Sequence, residues 1–129
     1  MSELQSNETE NLIRNFLEGM FGVHLRKRKL VVGYDSKNRP QIHEFDVVSD
    51  DMNIVGEIKS GRKSRGNFVG ALSDCFLLTK VKAKKKLLVL SDKEFYGHFK
   101  ANAEGIIPND IDVMLINPED LASKIMVSN

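Results

Sequence analysis

The spacing of hydrophobic positions changes several times along the chain, and each change marks an element. Between Glu8 and Phe21, Leu12, Ile13, Phe16, Leu17 and Met20 recur at i, i+1, i+4, i+5 and i+8, the single apolar stripe of an amphipathic helix. Asn7 followed by Glu10 has the form of a capping box, which predicts a helix start near Asn7, and Gly22 is the predicted stop. From Val23 to Tyr34 the period shortens, with Leu30, Val31 and Val32 following the basic run Arg26-Lys27-Arg28-Lys29, and the segment reads as a strand. Asp35 to Pro40 is a polar turn, and Gln41–Ser49 and Asn53–Lys59 read as two further strands. After a basic, glycine-containing loop from Gly61 to Gly66, Asn67–Val81 carries Val69, Leu72, Cys75, Phe76 and Thr79 on one side and reads as a helix. Lys86–Ser91 reads as a short buried strand, Lys93–Ala103 as a helix and Ile111–Ile116 as a strand. Pro118 is placed to open a last helix over Glu119–Met126. The order α-β-β-β-α-β-α-β-α predicts an α/β fold, a mixed β-sheet flanked by helices.

Composition narrows the picture. At 129 residues and 41% hydrophobic, the chain suits one domain, residues 1–129, with an ordinary core. The single cysteine, Cys75, excludes an intramolecular disulfide and any cysteine-only metal site; it falls on the apolar stripe of its helix and is expected in the core. Purely apolar runs are short, as in Leu87 to Leu90, which excludes a membrane-spanning helix, so no membrane partner is expected. The polar, acidic start MSELQSNETE does not look like an export signal, and an intracellular, cytoplasmic protein is expected. The net charge of +1 removes the simplest argument for a nucleic-acid partner but not the partner itself, since a sum near zero can hide segregated patches.

The chemistry concentrates between Ile42 and Lys59. If these two strands form a hairpin centred between Asp51 and Met52, Val48 faces Val55, Asp46 faces Glu57 and Glu44 faces Lys59, all on one side of the sheet. Phe45, Val47, Ile54 and Ile58, with Gly56, then form an apolar core face on the other side. Two directly opposed carboxylates beside a lysine are destabilising unless a positive charge lies between them. A divalent cation is one source of that charge: Mg²⁺ is held by one or two carboxylates, with water and substrate phosphate completing its octahedron. The alternative is a solvated charged face of an edge hairpin. His24, His43 and His98 are too scattered for a zinc pattern, and alternation points His43 away from the acids. Phe45, Phe68, Phe76, Phe95 and Phe99 fit a core better than a base-stacking surface.

At these residues the sequence resembles the PD-(D/E)xK nuclease superfamily, the restriction-endonuclease-like fold. Asp46 matches the first acid of the signature, and Glu57-Ile58-Lys59, preceded by Ile54-Val55, matches the (D/E)xK tripeptide. Glu44-Phe45-Asp46-Val47-Val48 followed by Val55-Gly56-Glu57-Ile58-Lys59-Ser60 looks like the Mrr-type and archaeal Holliday-junction-resolvase branches, although Phe45 stands where the motif name has proline. The resemblance covers roughly residues 8 to 91. It implies a restriction-endonuclease-like sheet and a Mg²⁺- or Mn²⁺-dependent DNA endonuclease. In that reading Asp46 and Glu57 bind the metal by carboxylate, the main-chain carbonyl of Ile58 adds a ligand, and Lys59 orients or helps deprotonate the attacking water. The first helix of those branches often contributes a glutamate, which carries over to Glu10, with Glu18 as an alternative; Glu10 also reads as the capping-box partner of Asn7. The helix after the motif often carries Gln or Lys, and here it has no Gln and only Lys80 near its end.

Thirteen of the nineteen basic residues fall in three groups: Arg26 to Lys29, Lys59 to Arg65, and Lys80 to Lys86. Arg62, Lys63 and Arg65, directly after the lysine of the motif, are expected to meet a DNA backbone, with Arg26 and Arg28 as further contacts. The lysines at 82–86 read as a solvated face. Symmetric cutting of two strands needs two active sites, which implies a homodimer, associated with the nucleoid. The competing expectations are a catalytically inactive nuclease-fold module for nucleic-acid binding or protein assembly, and an adaptor whose charged hairpin is only surface.

Overall fold

The computed structural model describes residues 6–121. Helix α1 (Ser6–Phe21) leads into an antiparallel run of β1 (Leu25–Tyr34), β2 (Pro40–Ser49) and β3 (Ile54–Lys59). Helix α2 (Arg65–Leu78), strand β4 (Lys85–Leu90), helix α3 (Lys93–Ala103) and strand β5 (Ile111–Leu115) complete the order. The five strands lie in the order β1-β2-β3-β4-β5, antiparallel from β1 to β3 and parallel from β3 to β5. The fold is therefore α/β with a mixed sheet between helices, and the element order agrees with the predicted one through β5. Residues 118–121 are helical, as expected from Pro118; the rest of the predicted last helix lies outside the described residues.

The sheet separates two cores. Ile13 and Leu17 of α1 pack with Leu25, Val47, Ile58, Leu87 and Val89 on one face. Ala71, Cys75 and Leu78 of α2 and Phe95, Phe99 and Ala103 of α3 pack with Phe45, Val48, Val55, Leu88 and Leu90 on the other. Strand β4 is buried on both faces, which is why Leu87-Leu88-Val89-Leu90 shows no alternation. Cys75 is in the core as expected, and burial pushes its thiol up to about 12.

Three apolar expectations are corrected. In α1, Phe16 and Met20 are 37% and 49% exposed, because the helix meets the sheet only along the Ile13–Leu17 edge. In α2, Val69 and Phe76 lie outward, 54% and 59% exposed, and Ala71, Cys75 and Leu78 are the buried set. That helix is apolar nearly all the way round, so its periodicity has no preferred direction and packing on β3 and β4 chooses the face. The third correction concerns Phe45 and arises from the geometry of β2.

Candidate active site

The turn between β2 and β3 sets the register. Ser49 Oγ donates to Asp51 Oδ1 at 2.7 Å, the same oxygen accepts from Asn53 N at 2.9 Å, and Ser49 Oγ accepts from Ile54 N at 3.0 Å. Met52 sits in the left-handed region with φ 60°. This clasp brings Val48 opposite Val55 and Val47 opposite Gly56, the register expected of a hairpin centred between Asp51 and Met52. Gly56 fits closely at this point, since a Cβ there would lie 3.0 Å from both the Cβ and the carbonyl oxygen of Leu87 on β4.

On the other side of β2 the register slips. Arg26 pairs with Val48 but Arg28 pairs with Phe45, so Asp46 and Val47 together oppose Lys27 in a β-bulge. A bulge adds one residue to one strand and re-aims the side chains beyond it. Phe45 therefore points into the α2/α3 core rather than joining Val47 on the α1 side, which corrects the expected face. His43 is re-aimed with it, edge-on to Phe45 at 4.7 Å between ring centroids, and its Nε2 comes to 3.4 Å from Glu57 Oε2. The expectation that His43 alternates away from the acids is thus overturned. Glu44 pairs with Lys29 of β1 and is exposed, not set opposite Lys59.

Beyond Val47 and Gly56 the β2–β3 ladder stops, and carboxylates bridge the strands instead. Asp46 N donates to Glu57 Oε1 at 3.3 Å, and Ile58 N donates to Asp46 Oδ2 at 2.9 Å. Glu57 is only 5% exposed. Burial, then the negative charges of Asp46 and Asp74, push its carboxyl up to about 9, opposed by the Asp46 N–H and by Lys59. Asp46 is also raised, chiefly by burial, against the Ile58 N–H that favours its ionised form. Burial is thus the leading reason that both acids hold a proton more tightly than in water, against the nearby charges of Lys59, Lys27 and Arg14.

Each carboxylate has its own flank. On the α2 side, Lys59 Nζ lies 3.2 Å from Asp74 Oδ2. On the α1 side, Glu10 Oε2 lies 3.1 Å from Lys27 Nζ and 3.9 Å from Arg14 Nη2, while Arg14 Nε donates to the carbonyl of Asp46 at 2.9 Å. The Glu10 bond pushes the Lys27 ammonium up. Glu10 stands near enough for its charge to raise Asp46, but its carboxylate is engaged by Lys27. The capping-box reading of Glu10 is corrected as well: the Asn7 side chain accepts from Glu8 N. Glu18 faces elsewhere, accepting from Leu25 N and pairing with His24, both at 2.9 Å.

The fold thus gathers Asp46, Glu57, Ile58 and Lys59, and keeps Glu10 on the flank behind Lys27. Among the described residues no three His, Cys, Asp or Glu groups form a set that could hold a metal ion. What the hairpin brings together is one buried carboxyl, Glu57, and one half-buried carboxyl, Asp46. Asp74 and His43 are the residues that sequence reasoning missed. Asp74 had a signal, as the one acid in RGNFVGALSDCFLL and the neighbour of core Cys75; His43 had none, because the bulge reverses its alternation.

The basic loop comes directly after β3. Ser64 caps α2 by accepting from Asn67 N at 3.0 Å, and Asn67 Nδ2 donates to Arg62 O at 2.7 Å. A Cβ at Gly61 would collide with the Asn67 side chain. Arg62 and Lys63 are therefore carried, exposed, on a braced loop, and Arg65 is exposed at the first position of α2, with Lys63 3.9 Å from Glu94. Arg26 lies 4.0 Å from Asp50 near the turn end of the hairpin, and Arg28 is half-buried. A groove of about 510 Å³ lies away from the acids, between Met20 and Phe21 of α1 and the segment from Phe99 to Met114. No helix among the described residues is long and apolar enough to cross a membrane.

No protein-family model, no curated protein and no solved structure matches this chain.

Proposed function

We propose that this chain is a divalent-metal-dependent DNA endonuclease of the PD-(D/E)xK kind. The observation that carries the reading is the pairing of half-buried Asp46 with buried Glu57 at the point where β2 leaves β3, with Lys59 beside it. Asp46 and Glu57 would hold a Mg²⁺ or Mn²⁺ ion, with the carbonyl of Ile58 as a further ligand. Bound there, such an ion supplies an acidified water and polarises the scissile phosphate. Lys59 orients that water and offsets charge developing on the phosphorane, while Arg62, Lys63 and Arg65 take the DNA backbone. Arg26 and Arg28 serve duplex further along the hairpin. Cutting both strands of a junction calls for a homodimer, and such a substrate puts the protein at the nucleoid.

One observation favours the second reading, a nuclease fold that binds DNA without cutting it: Glu10 is engaged by Lys27, leaving two carboxylates and not three. Cleavage of labelled junction, flap, single-stranded and linear DNA with Mg²⁺ or Mn²⁺ separates the two. The expected result is cutting by the wild-type protein that Asp46→Asn and Lys59→Ala abolish while the fold persists. No cutting of any substrate by the wild type, or undiminished cutting by both variants, refutes the enzyme reading.

A further inference from the structure

Lys59 ends β3 at the edge of the acid pair, and what receives its ammonium is helix α2. Its Nζ lies 3.2 Å from Asp74 Oδ2, with the side chains only 27% and 14% exposed. One turn earlier on the same helix face stands Gly70. A Cβ at Gly70 would lie 2.9 Å from Lys59 Nζ and 3.2 Å from Lys59 Cε, and it would meet nothing else within 4 Å. Glycine is the poorest helix former after proline, so its presence inside α2 works against the helix. The one thing it makes room for is the end of the Lys59 side chain. Two independent features of α2, a missing side chain and an acid at i and i+4, thus meet the same amine.

We propose that Gly70 and Asp74 form a cradle on α2 that holds the Lys59 ammonium beside Glu57, with Asp74 as the positioning residue for that lysine. The catalytic consequence rests on the nuclease reading; the cradle itself does not. Asp74 fixes the amine by charge and hydrogen bonding, and Gly70 fixes it by leaving the space it occupies. Asp74 touches no substrate in this arrangement and acts only through Lys59. The negative charge of Asp74 also reaches Glu57, so the cradle lies within electrostatic range of the acid pair.

The test uses Gly70→Ala, Asp74→Asn and Asp74→Glu in the full chain, with two readouts. The first is the ¹⁵Nζ resonance of Lys59, assigned by its disappearance in Lys59→Gln; it should be resolved and motionally restricted in the wild type. It should move to the position of solvated lysines in Gly70→Ala and Asp74→Asn, and stay near its wild-type position in Asp74→Glu. The second is metal-dependent cleavage: the first two variants should lose roughly 10- to 100-fold in kcat with little change in KM, as expected when a reacting group is displaced by about 1 Å. Asp74→Glu should recover most of that loss. Gly70→Ala serves as the control for folding, since alanine favours the helix and its melting temperature should not fall. An unchanged Lys59 resonance in both Gly70→Ala and Asp74→Asn overturns the cradle, as does a loss of kcat in Asp74→Asn that leaves that resonance in place. If the wild type cuts nothing, the nuclease reading fails and the resonance alone decides the cradle.

Discussion

Replacing Glu57 by glutamine should flatten the pH dependence of stability in metal-free solution, leaving the smaller part that comes from Asp46. In the fold Glu57 is 5% exposed and its carboxyl is pushed up to about 9, mainly by burial and then by Asp46 and Asp74, against an ordinary value of 4.5. The folded state therefore holds this proton more tightly than the unfolded chain does. The stability contributed by the protonated group is complete below pH 4.5 and is lost as pH rises through 9. Each pH unit inside that window costs at most about 1.4 kcal/mol, so the ceiling between pH 5 and pH 8 is about 4 kcal/mol. Glutamine keeps the shape of the protonated carboxyl and cannot ionise. Urea denaturation in EDTA at pH 5, 6.5 and 8 should show wild-type stability falling more steeply than that of Glu57→Gln, so that the variant is the more stable protein at pH 8. Divalent cation should narrow that gap, because an ion that binds only the folded wild type at 100 times its Kd adds about 2.7 kcal/mol. Parallel pH profiles for the two proteins in EDTA would refute the assignment of Glu57 as an acid raised by burial. Equal stabilisation of both proteins by Mn²⁺ would refute its role as a metal ligand.

The same geometry gives three further outcomes. Gly56→Ala should lose about 1–3 kcal/mol in urea denaturation, since its new methyl meets the backbone of Leu87 and not a yielding side-chain tip; wild-type stability would show that β3 and β4 are not so close. Met52→Gly should gain about 0.5–1 kcal/mol in the same assay, because the left-handed backbone at φ 60° costs an L-residue more than glycine loses in entropy; a loss would mean that the Met52 side chain supports the turn. If DNA tracks the loop after β3, changing Arg62, Lys63 and Arg65 together to glutamine should weaken binding to all sequences alike. Measured by fluorescence anisotropy, it should also lower the slope of log K against log salt by roughly 2–3, and an unchanged slope would move the backbone contact elsewhere.

Local pattern was enough for the element order through β5, while the register of the hairpin was an assumption that the structure matches at Val47–Gly56 and Val48–Val55. The apolar runs differ in period from helix to strand. The Ser49–Asn53 segment carries its own clasp, so Val48 opposite Val55 comes from residues only a few positions apart. Asp46, Glu57 and Lys59 could be singled out together because two strands adjacent in sequence carry all three. The burial faces of α1 and α2 were less so. Leu12 to Met20 and Phe68 to Leu78 hold more apolar residues than one sheet face can cover, and the sequence alone does not say which are left outside.

What the tertiary structure alone decided is how the acid pair is surrounded. The bulge at Asp46 and Val47 arises from the fit of β2 to β1, a long-range register that no spacing within β2 reveals, and it turns His43 toward Glu57 and Phe45 into the opposite core. Asp74 and Gly70 reach Lys59 only because the crossover after β3 lays α2 back over the sheet. Lys27 takes Glu10 only because β1 passes beside α1. Side chains distant in sequence meet through packing, and packing is set by how whole elements bury their faces against one another. The pattern of residues thus determined the elements and placed Asp46, Glu57 and Lys59 in neighbouring strands, while the groups around them, and the burial that raises the Glu57 carboxyl, were decided by the assembled sheet and helices.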